Sequence, residues 1–356
     1  MVGVSKTRGA TTGTSLAQAL HASPTTRAVI GEFGRVRSAN ILTHGYCFDG
    51  LVSASLFFAW LGERGVKAKP KFRTCGYSPK LKTMPSEWFT AETNALLDFR
   101  FAPHAKLTHY IDHHATAFKD EAEEAEALAS AARGERLVLF DPLAPSCAGL
   151  VVKAARQEGI DLGCASLVAL ADQVDSASFS TAEEPFFAKT AGLMLADVAE
   201  RFSDADFVSR MAPLLASRTV EELMTMPELA ERSREVTEGK DRFLASVRAG
   251  GRMFGDIAIV DLSGSRVRSA GKFATYLAFP RCRYSVILLQ TREQLKLGVG
   301  FNPFGEFERA HDIGAICRTF GGGGHRAVGA VNFPSGAVER AREVMNSVVA
   351  TLTSEA

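Results

Sequence analysis

The chain contains the run Tyr110-Ile111-Asp112-His113-His114, in which an acid and two histidines directly follow an apolar segment typical of a β-strand. Side chains that can bind a metal or a phosphate at the carboxyl end of a strand form a potential site in an open α/β sheet. On its own, a tripeptide of this kind is equally compatible with a strand end that has no chemical role. The remaining sequence distinguishes the two readings, because other strand ends carry similar residues.

Acidic residues follow four predicted strands. The strands are residues 39–43, 94–97, 107–111 and 137–140, and the acids that follow them are Asp49, Asp98, Asp112 and Asp141. The first of these acids lies in the segment 44–50 (HGYCFDG), after which residues 51–64 have the apolar content of a buried helix. A helical stretch at 164–171 then leads to Asp172 and Asp175. This alternation of strands and helices is typical of a parallel α/β sheet.

Parallel strands place their carboxyl ends along one edge of the sheet, so residues from several strand ends can meet there. We expect His44, Asp49, Asp98, His113 and one of Asp172 or Asp175 to converge at this edge. Carboxylates together with imidazoles suit Mn²⁺ or Mg²⁺ better than a thiolate-rich zinc or iron–sulfur site. Two such ions about 3.5–4 Å apart would activate water for attack at phosphorus.

These residues resemble the motifs of the DHH phosphoesterases, a family that includes RecJ-type exonucleases, oligoribonucleases, cyclic-dinucleotide phosphodiesterases and exopolyphosphatases. The matching positions are His44 and Asp49, then Asp98, then Asp112-His113-His114, then the segment 171–175. The segment 320–326 (FGGGGHR) is similar to the glycine-rich signature of the DHH-associated C-terminal domain. The resemblance extends over residues 39–335.

The resemblance implies roles for individual residues. It makes His44, Asp49, Asp98 and His113 metal ligands, with Asp98 bridging and with Asp172 or Asp175 completing the second metal's shell. It implies that Asp112 orients His113 and that His114 faces the phosphoryl oxygens. The implied cofactor is Mn²⁺, as one or two ions, with Mg²⁺ or Co²⁺ as alternatives. The implied substrate-binding residues are Arg100, Gly322, Gly323, Gly324, His325 and Arg326.

Cys47 departs from the family pattern, because the first motif usually supplies two aspartates and Cys47 takes the place of the first. A thiol must lose its proton to bind a metal and prefers softer ions than Mn²⁺. Three interpretations follow: Cys47 binds a thiophilic metal, the first metal is weakly held, or the site works with one metal. The hard–soft argument favours the last two, and both are compatible with Cys47 as a small buried residue that packs the loop.

Composition and length limit the class of protein. A chain of 356 residues favours two domains, and apolar and charged contents of 46% and 23% are those of an ordinary globular protein. No uncharged apolar run is long enough to predict a membrane span. A formal net charge of +1 argues against tight binding of long nucleic acid, in which neutralised phosphates supply most of the affinity. The six cysteines form no C-x-x-C pair, which favours reduced thiols in the cytoplasm.

The predicted fold is α/β with two domains, a parallel-sheet DHH domain and a smaller α/β C-terminal domain joined by helices. We expect a flexible tail at residues 1–38, the metal-binding domain at 39–180, a helical connector at 181–250 and the substrate-binding domain at 251–350. Pro145-Ser146-Cys147-Ala148-Gly149 predicts a helix start with Ser146 as N-cap. The glycines at 321–324 allow backbone N–H groups to approach an anion closely, and a helix C-cap followed by a turn is the alternative.

We therefore expect a cytoplasmic, metal-dependent phosphoesterase that acts on an oligoribonucleotide, a cyclic dinucleotide or a nucleoside bisphosphate. Two alternatives stay open: an exopolyphosphatase or pyrophosphatase, and a catalytically impaired nucleotide-binding regulatory protein. The expected partner is a small nucleotide or short oligonucleotide, without a membrane. A homodimer is compatible with the sequence.

Overall fold

The computed structural model describes residues 37–67, 69–76, 84–265, 271, 273–291 and 294–354. Apart from Arg37 and Ser38, the tail predicted at residues 1–38 lies outside the described residues. The backbone carbonyl of Ser38 accepts a hydrogen bond of 3.1 Å from the N–H of Thr93, so the described chain begins at the first sheet.

Five strands form the first sheet, in the order β2-β1-β3-β4-β5, and every pair of neighbours is parallel. Their bounds are β1 (Ala39–His44), β2 (Lys71–Cys75), β3 (Thr93–Leu97), β4 (His109–Asp112) and β5 (Leu137–Phe140). Because all the strands run in one direction, their carboxyl ends lie along one edge, as the alternating sequence pattern predicted.

The strands of this sheet are apolar on both faces. In β1, Ile41 belongs to one hydrophobic cluster and Leu42 to another, and in β4 the same division separates Ile111 from Tyr110. Successive side chains of a strand point to opposite faces, so this sheet is covered on both sides. The first cluster is formed with the surrounding helices, and the second is rich in aromatic residues from the loops.

Nine α-helices lie between the first strand and the second sheet in the described part of the chain. They are α1 (Phe48–Glu63), α2 (Glu121–Ala132), α3 (Cys147–Gln157), α4 (Ala165–Asp175), α5 (Glu183–Phe187), α6 (Ala191–Phe202), α7 (Ala205–Leu215), α8 (Val220–Met224) and α9 (Pro227–Gly250). Helix α1 is central, because it packs against α3, α4, α6 and α7. The last five helices occupy the region predicted as a helical connector.

Six strands form the second sheet, in the order β10-β11-β9-β8-β7-β6, in which only the β7–β8 pair is parallel. Its elements are β6 (Gly251–Phe254), β7 (Ile257–Leu262), α10 (Ala274–Ala278), β8 (Tyr284–Gln290), β9 (Gln294–Phe301), α11 (Ile313–Thr319), β10 (Gly323–His325), β11 (Val328–Pro334) and α12 (Val338–Thr353). Helices α11 and α12 pack on this sheet to form its core.

The predicted fold class is confirmed: a parallel sheet and a second, mixed sheet form an α/β structure. The sequence reading missed three strands, β2, β6 and β10. Strand β2 carries Lys71 and Arg73 and lies at the edge of its sheet, where charged residues are common and the apolar signal is weak. In the described part of the chain, no helix has both the length and the hydropathy needed to cross a bilayer.

Candidate metal centre

A close backbone approach connects β1 to α1 at the carboxyl edge of the first sheet. A Cβ atom on Gly50 would lie only 2.3 Å from the carbonyl oxygen of His44, so a larger residue could not occupy this position without a shift of the backbone. The hydroxyl of Thr43 donates a hydrogen bond of 2.7 Å to the carbonyl of Gly50. The last residue of β1, His44, and the first turn of α1 are thereby held side by side.

Asp49, in that first turn, is completely buried against the N-terminus of α3. Its carboxylate accepts hydrogen bonds from the backbone N–H groups of Cys147, at 2.7 Å, and Ala148, at 2.9 Å. Ser146 caps the same helix by accepting a bond from the N–H of Gly149 at 3.1 Å, which confirms the predicted N-cap. Burial, followed by the charge of Asp175, raises the pKa of Asp49 to about 6 despite these bonds.

Asp98 follows β3 and has a left-handed backbone, with φ of 54°. Its N–H donates a hydrogen bond of 3.0 Å to the carbonyl of Ile111 in β4, which holds the residue in this costly conformation. The side chain is fully buried, and its two oxygens have no hydrogen-bond partner among the described residues. Burial, with the charges of Asp49 and Asp175, raises the pKa of Asp98 well above its usual range.

The two histidines that follow Asp112 have different hydrogen-bond partners. Asp112 is buried and accepts hydrogen bonds from Nδ1 of His114, at 2.8 Å, and from the hydroxyl of Tyr110, at 3.1 Å. Nδ1 of His113 instead donates to the backbone carbonyl of Ala144 at 3.0 Å. The expectation that Asp112 orients His113 is therefore wrong: Asp112 orients His114, and a carbonyl from the loop after β5 orients His113.

The two histidines consequently differ in their electrostatics. The carbonyl of Ala144 can only accept, so Nδ1 of His113 donates to it and Nε2 is the nitrogen that lies beside the carboxylates of Asp49, Asp98 and Asp175. Nε2 of His113 is buried, without a hydrogen-bond partner in the described part of the chain. Although burial disfavours a charged imidazole, the hydrogen bond to Asp112 and the nearby carboxylates raise the pKa of His114.

Asp175 and Asp172 lie in different surroundings, although both belong to α4. Oδ2 of Asp175 is 3.3 Å from Nε2 of His113. Oδ1 of Asp172 instead accepts a hydrogen bond of 2.5 Å from the hydroxyl of Ser146. The geometry thus places Asp175 among the candidate ligands and engages Asp172 with the N-cap of α3.

Cys47 is the N-cap residue of α1, and its side chain makes no capping hydrogen bond. Its Sγ lies within 4.8 Å of ligand atoms of His44 and Asp98. Burial, followed by the charges of Asp98 and Asp49, raises the pKa of the Cys47 thiol well above its usual range. A thiolate at this position would therefore require a bound cation.

Three groups of candidate ligands are linked through two shared residues, Asp98 and His113. They are His44, Cys47 and Asp98; Asp98, His113 and His114; and Asp49, His113 and Asp175. We call these seven residues the metal centre. Asp98 and His113 contribute buried atoms that lack a hydrogen-bond partner among the described residues. Together with the nitrogen, oxygen and sulfur donors of the other residues, these atoms fit a divalent first-row transition ion.

The predicted substrate-binding residues lie outside this set. Arg100 is half-buried two residues after Asp98, and its guanidinium lies 5.9 Å from the ring centre of Phe99. The ring of Phe99 is in turn 5.7 Å from that of His44. Arg100 is thus one aromatic ring away from the metal centre.

The glycine-rich segment forms a helix end and an edge strand. The N–H of Gly322 donates to the carbonyl of Cys317 in α11, and Gly323 and Gly324 pair with β11. A Cβ on Gly322 would lie 2.1 Å from the carbonyl of Ala330, so this glycine is required by the close packing of the backbone. His325 and Arg326, which follow, are exposed. The helix C-cap expected as the alternative is present, and its turn, with Gly321 at φ of 78°, leads into strand β10.

No protein-family model matches the sequence, and no curated protein resembles it significantly. Solved structures do share its fold. PggH, a pGpG-specific phosphodiesterase from Vibrio cholerae, has a TM-score of 0.62 and 17% sequence identity, over 88% of this chain and 99% of its own. RecJ from Thermus thermophilus, in complex with Mn²⁺, has a TM-score of 0.57 and 13% identity, over 93% of this chain and 55% of its own.

A third structure carries the DHH name itself. The DHH domain of a member of the S1p family of ribosomal proteins has a TM-score of 0.57 and 16% identity, over 94% of this chain and 90% of its own. The class defined by these likenesses is a two-domain α/β fold with a parallel first sheet. Within that class, the chain has the fold of the DHH-domain phosphoesterases, which confirms the resemblance at the level of the fold.

Proposed function

We propose that this chain is a metal-dependent phosphoesterase that hydrolyses phosphodiester or phosphomonoester bonds in short nucleotides. The observation that carries the proposal is the buried pair Asp98 and His113, whose ligand atoms lack hydrogen-bond partners among the described residues and are shared between groups of candidate ligands. Such a pair is costly in a protein that binds no cation there. The fold shared with a pGpG-specific phosphodiesterase and with RecJ supports a phosphate ester as the substrate.

In this proposal the chain's own residues hold the ions and orient the substrate. His44, Asp49, Asp98, His113 and Asp175 are the ligands, with Asp98 in the central position. Bound divalent ions would supply Lewis-acid activation of water and of the phosphoryl oxygens. Mn²⁺ is the favoured ion, because the donors are mainly carboxylate and imidazole and because RecJ is known in complex with Mn²⁺.

His114 has the properties of a residue that stabilises charge on the phosphate. Its Nδ1 is held by Asp112, its pKa is raised, and its side chain is 30% exposed at the edge of the metal centre. A protonated imidazole in this position donates Nε2–H to a non-bridging oxygen and counteracts the negative charge that develops during attack. Arg100 and the segment 322–326 are proposed to bind the remaining phosphate groups.

The proposed substrate is a short nucleotide, and the proposed compartment is the cytoplasm. A net charge of +1 supports a short nucleotide rather than a long nucleic acid. The six free cysteines support a reducing compartment such as the cytoplasm.

The test is product release by metal-stripped protein that is given Mn²⁺ with pGpG, a cyclic dinucleotide, a 3′,5′-bisphosphate or polyphosphate. We expect turnover of a nucleotide, and its loss in His113→Ala, with the far-ultraviolet circular dichroism of that variant unchanged. Undiminished metal-dependent turnover by His113→Ala would overturn the proposal. Phosphate release from polyphosphate alone would assign the chain to the exopolyphosphatases instead.

A further inference from the structure

A pocket lies between the segment that follows α4 and residues in and after α10 and after β9. Its lining includes Ser180, Glu183, Tyr276, Pro280, Asn302 and Phe304, and we call it the base pocket. Ala182, which also lines it, packs in one hydrophobic cluster with Tyr276. Residues distant in sequence therefore form the two walls together.

One wall is aromatic and held rigidly. The ring of Phe304 meets that of Phe273 edge to face, with centres 5.0 Å apart, and lies 6.2 Å from the ring of Tyr276. Asn302 accepts a hydrogen bond of 3.0 Å from the N–H of Phe304 and donates one of 2.8 Å to the carbonyl of Cys282. The side chain of Asn302 thus holds the backbone at Phe304 in place, and the half-buried Phe304 lines the pocket.

The lining residues from the segment after α4 offer hydrogen-bond acceptors. Glu183 lies in the first turn of α5, is exposed, and makes no ion pair within the described residues. Ser180 and Thr181, which carry hydroxyl groups, also line the pocket. A planar ring with N–H donors on its edge is the ligand that suits a pocket lined by both a phenyl ring and a carboxylate.

The base pocket is connected to the metal centre by a short piece of chain. Ser180 is five residues after Asp175, so their Cα atoms are at most about 17 Å apart. The carboxylate of Asp175 lies 3.3 Å from His113. One side of the pocket is therefore lined by a segment that begins five residues after a candidate metal ligand, and the proposal below takes the substrate to span the two.

We propose that the base pocket binds a purine base of the substrate, with the ring stacked on Phe304 and the edge donating to Glu183. This inference rests on the proposed function. Guanine is favoured over adenine, because its N1–H and its 2-amino group can both donate to one carboxylate, whereas N1 of adenine is an acceptor. The pocket thus selects the base, while the metal centre acts on the phosphate.

The test compares Phe304→Ala and Phe304→Leu with wild type, using pGpG, pApA and a pGpG analogue whose second nucleotide lacks its base. Stacking on an aromatic side chain contributes about 1–3 kcal/mol per base, which corresponds to about a 5- to 150-fold rise in KM for pGpG. We expect kcat to change little and the abasic analogue to be unaffected. Phe187→Ala, on the same helix as Glu183 and 46% exposed outside the pocket, is the control and should behave like wild type.

Glu183→Gln tests the choice of base. The glutamine amide can donate a hydrogen bond to N1 of adenine as well as accept one, whereas the carboxylate can only accept. We expect the preference for pGpG over pApA to fall about tenfold or more in this variant. An unchanged KM for pGpG in both Phe304 variants, or an equal rise for the abasic analogue, would refute the base pocket.

Calorimetric titration of the metal-free protein with GMP separates this inference from the proposed function. Binding of GMP that Phe304→Ala abolishes would support the pocket even if no substrate were hydrolysed. Hydrolysis of pGpG with GMP binding unaffected by Phe304→Ala would support the phosphoesterase and overturn the pocket.

Discussion

Oδ1 of Asp98 lies 3.7 Å from Nε2 of His113, and both atoms are buried without a hydrogen-bond partner in the described part of the chain. Buried polar atoms in folded proteins are nearly always paired, because an unpaired one keeps the cost of its lost hydration. The left-handed backbone of Asp98 adds strain at the same point. Asp98 and His113 therefore lower the stability of the metal-free fold.

We predict that Asp98→Asn makes the metal-free protein more stable. Asparagine has the same shape and tolerates a left-handed backbone, but it carries no charge that burial would penalise. The free energy of unfolding of the metal-free protein should rise by about 1 kcal/mol at neutral pH. Urea unfolding, with and without Mn²⁺, measures both this gain and the loss of the stabilisation that Mn²⁺ gives to the wild type.

Asp112→Asn is the matched control for that prediction. Asp112 is equally buried but has hydrogen bonds from His114 and Tyr110, so its replacement should destabilise the metal-free protein. A loss of stability in Asp98→Asn as large as that in Asp112→Asn would contradict our account of Asp98.

Asp175 and Asp172 should respond differently to the same substitution. Asp175→Asn should weaken Mn²⁺ binding by about tenfold or more, because its carboxylate lies beside His113. Asp172→Asn should leave Mn²⁺ affinity nearly unchanged and lower the stability, because its carboxylate holds the Ser146 hydroxyl at the start of α3. Calorimetric titration with Mn²⁺ measures the affinity of both variants, and thermal unfolding measures their stability. A loss of Mn²⁺ affinity in Asp172→Asn but not in Asp175→Asn would assign the ligand role to Asp172.

Cys47 should determine which metals the centre prefers. Its Sγ lies near His44 and Asp98, and a carboxylate there would be a harder ligand that loses its proton more easily. Cys47→Asp should therefore raise the affinity for Mn²⁺ relative to Zn²⁺ by about tenfold. Cys47→Ser removes the thiol without adding a carboxylate, so it should lose affinity for Zn²⁺ without gaining affinity for Mn²⁺. Equal ratios of Mn²⁺ to Zn²⁺ affinity in all three proteins would show that Cys47 is not a ligand.

Mn²⁺ binding should weaken as the pH falls through about 6, because the buried Asp49 carboxyl, with its pKa raised to about 6, must be ionised to bind. Below that pH each ion displaces one further proton, from Asp49, and the affinity falls more steeply with pH by about a factor of ten per pH unit. Burial and the charge of His114 lower the pKa of His44 to about 4, so His44 stays neutral throughout this range. Titrations between about pH 7.5 and 5.5 should show proton uptake by the metal-free protein, and a constant affinity across this range would exclude Asp49 as a ligand.

The sequence predicted the fold class because the parallel strands β1, β3, β4 and β5 are short apolar runs, and it predicted most of the metal centre because acids follow several of these strands. It missed β2, whose charges weaken the apolar signal at a sheet edge. It also assigned Asp112 to the wrong histidine. Neighbouring histidines in a chain can turn to opposite partners, and only the packing of the loop after β5 brings the carbonyl of Ala144 to His113.

By itself, the sequence determined the order of the strands along the chain and which side chains with metal-binding chemistry follow them, since hydrophobic periodicity and residue type are local properties. Tertiary structure alone decided which of Asp172 and Asp175 lies beside His113, that the sulfur of Cys47 is near Asp98, and that Phe304 and Glu183 line one pocket. These relationships join residues far apart in the chain, and their distances depend on how helices and sheets pack rather than on any local pattern.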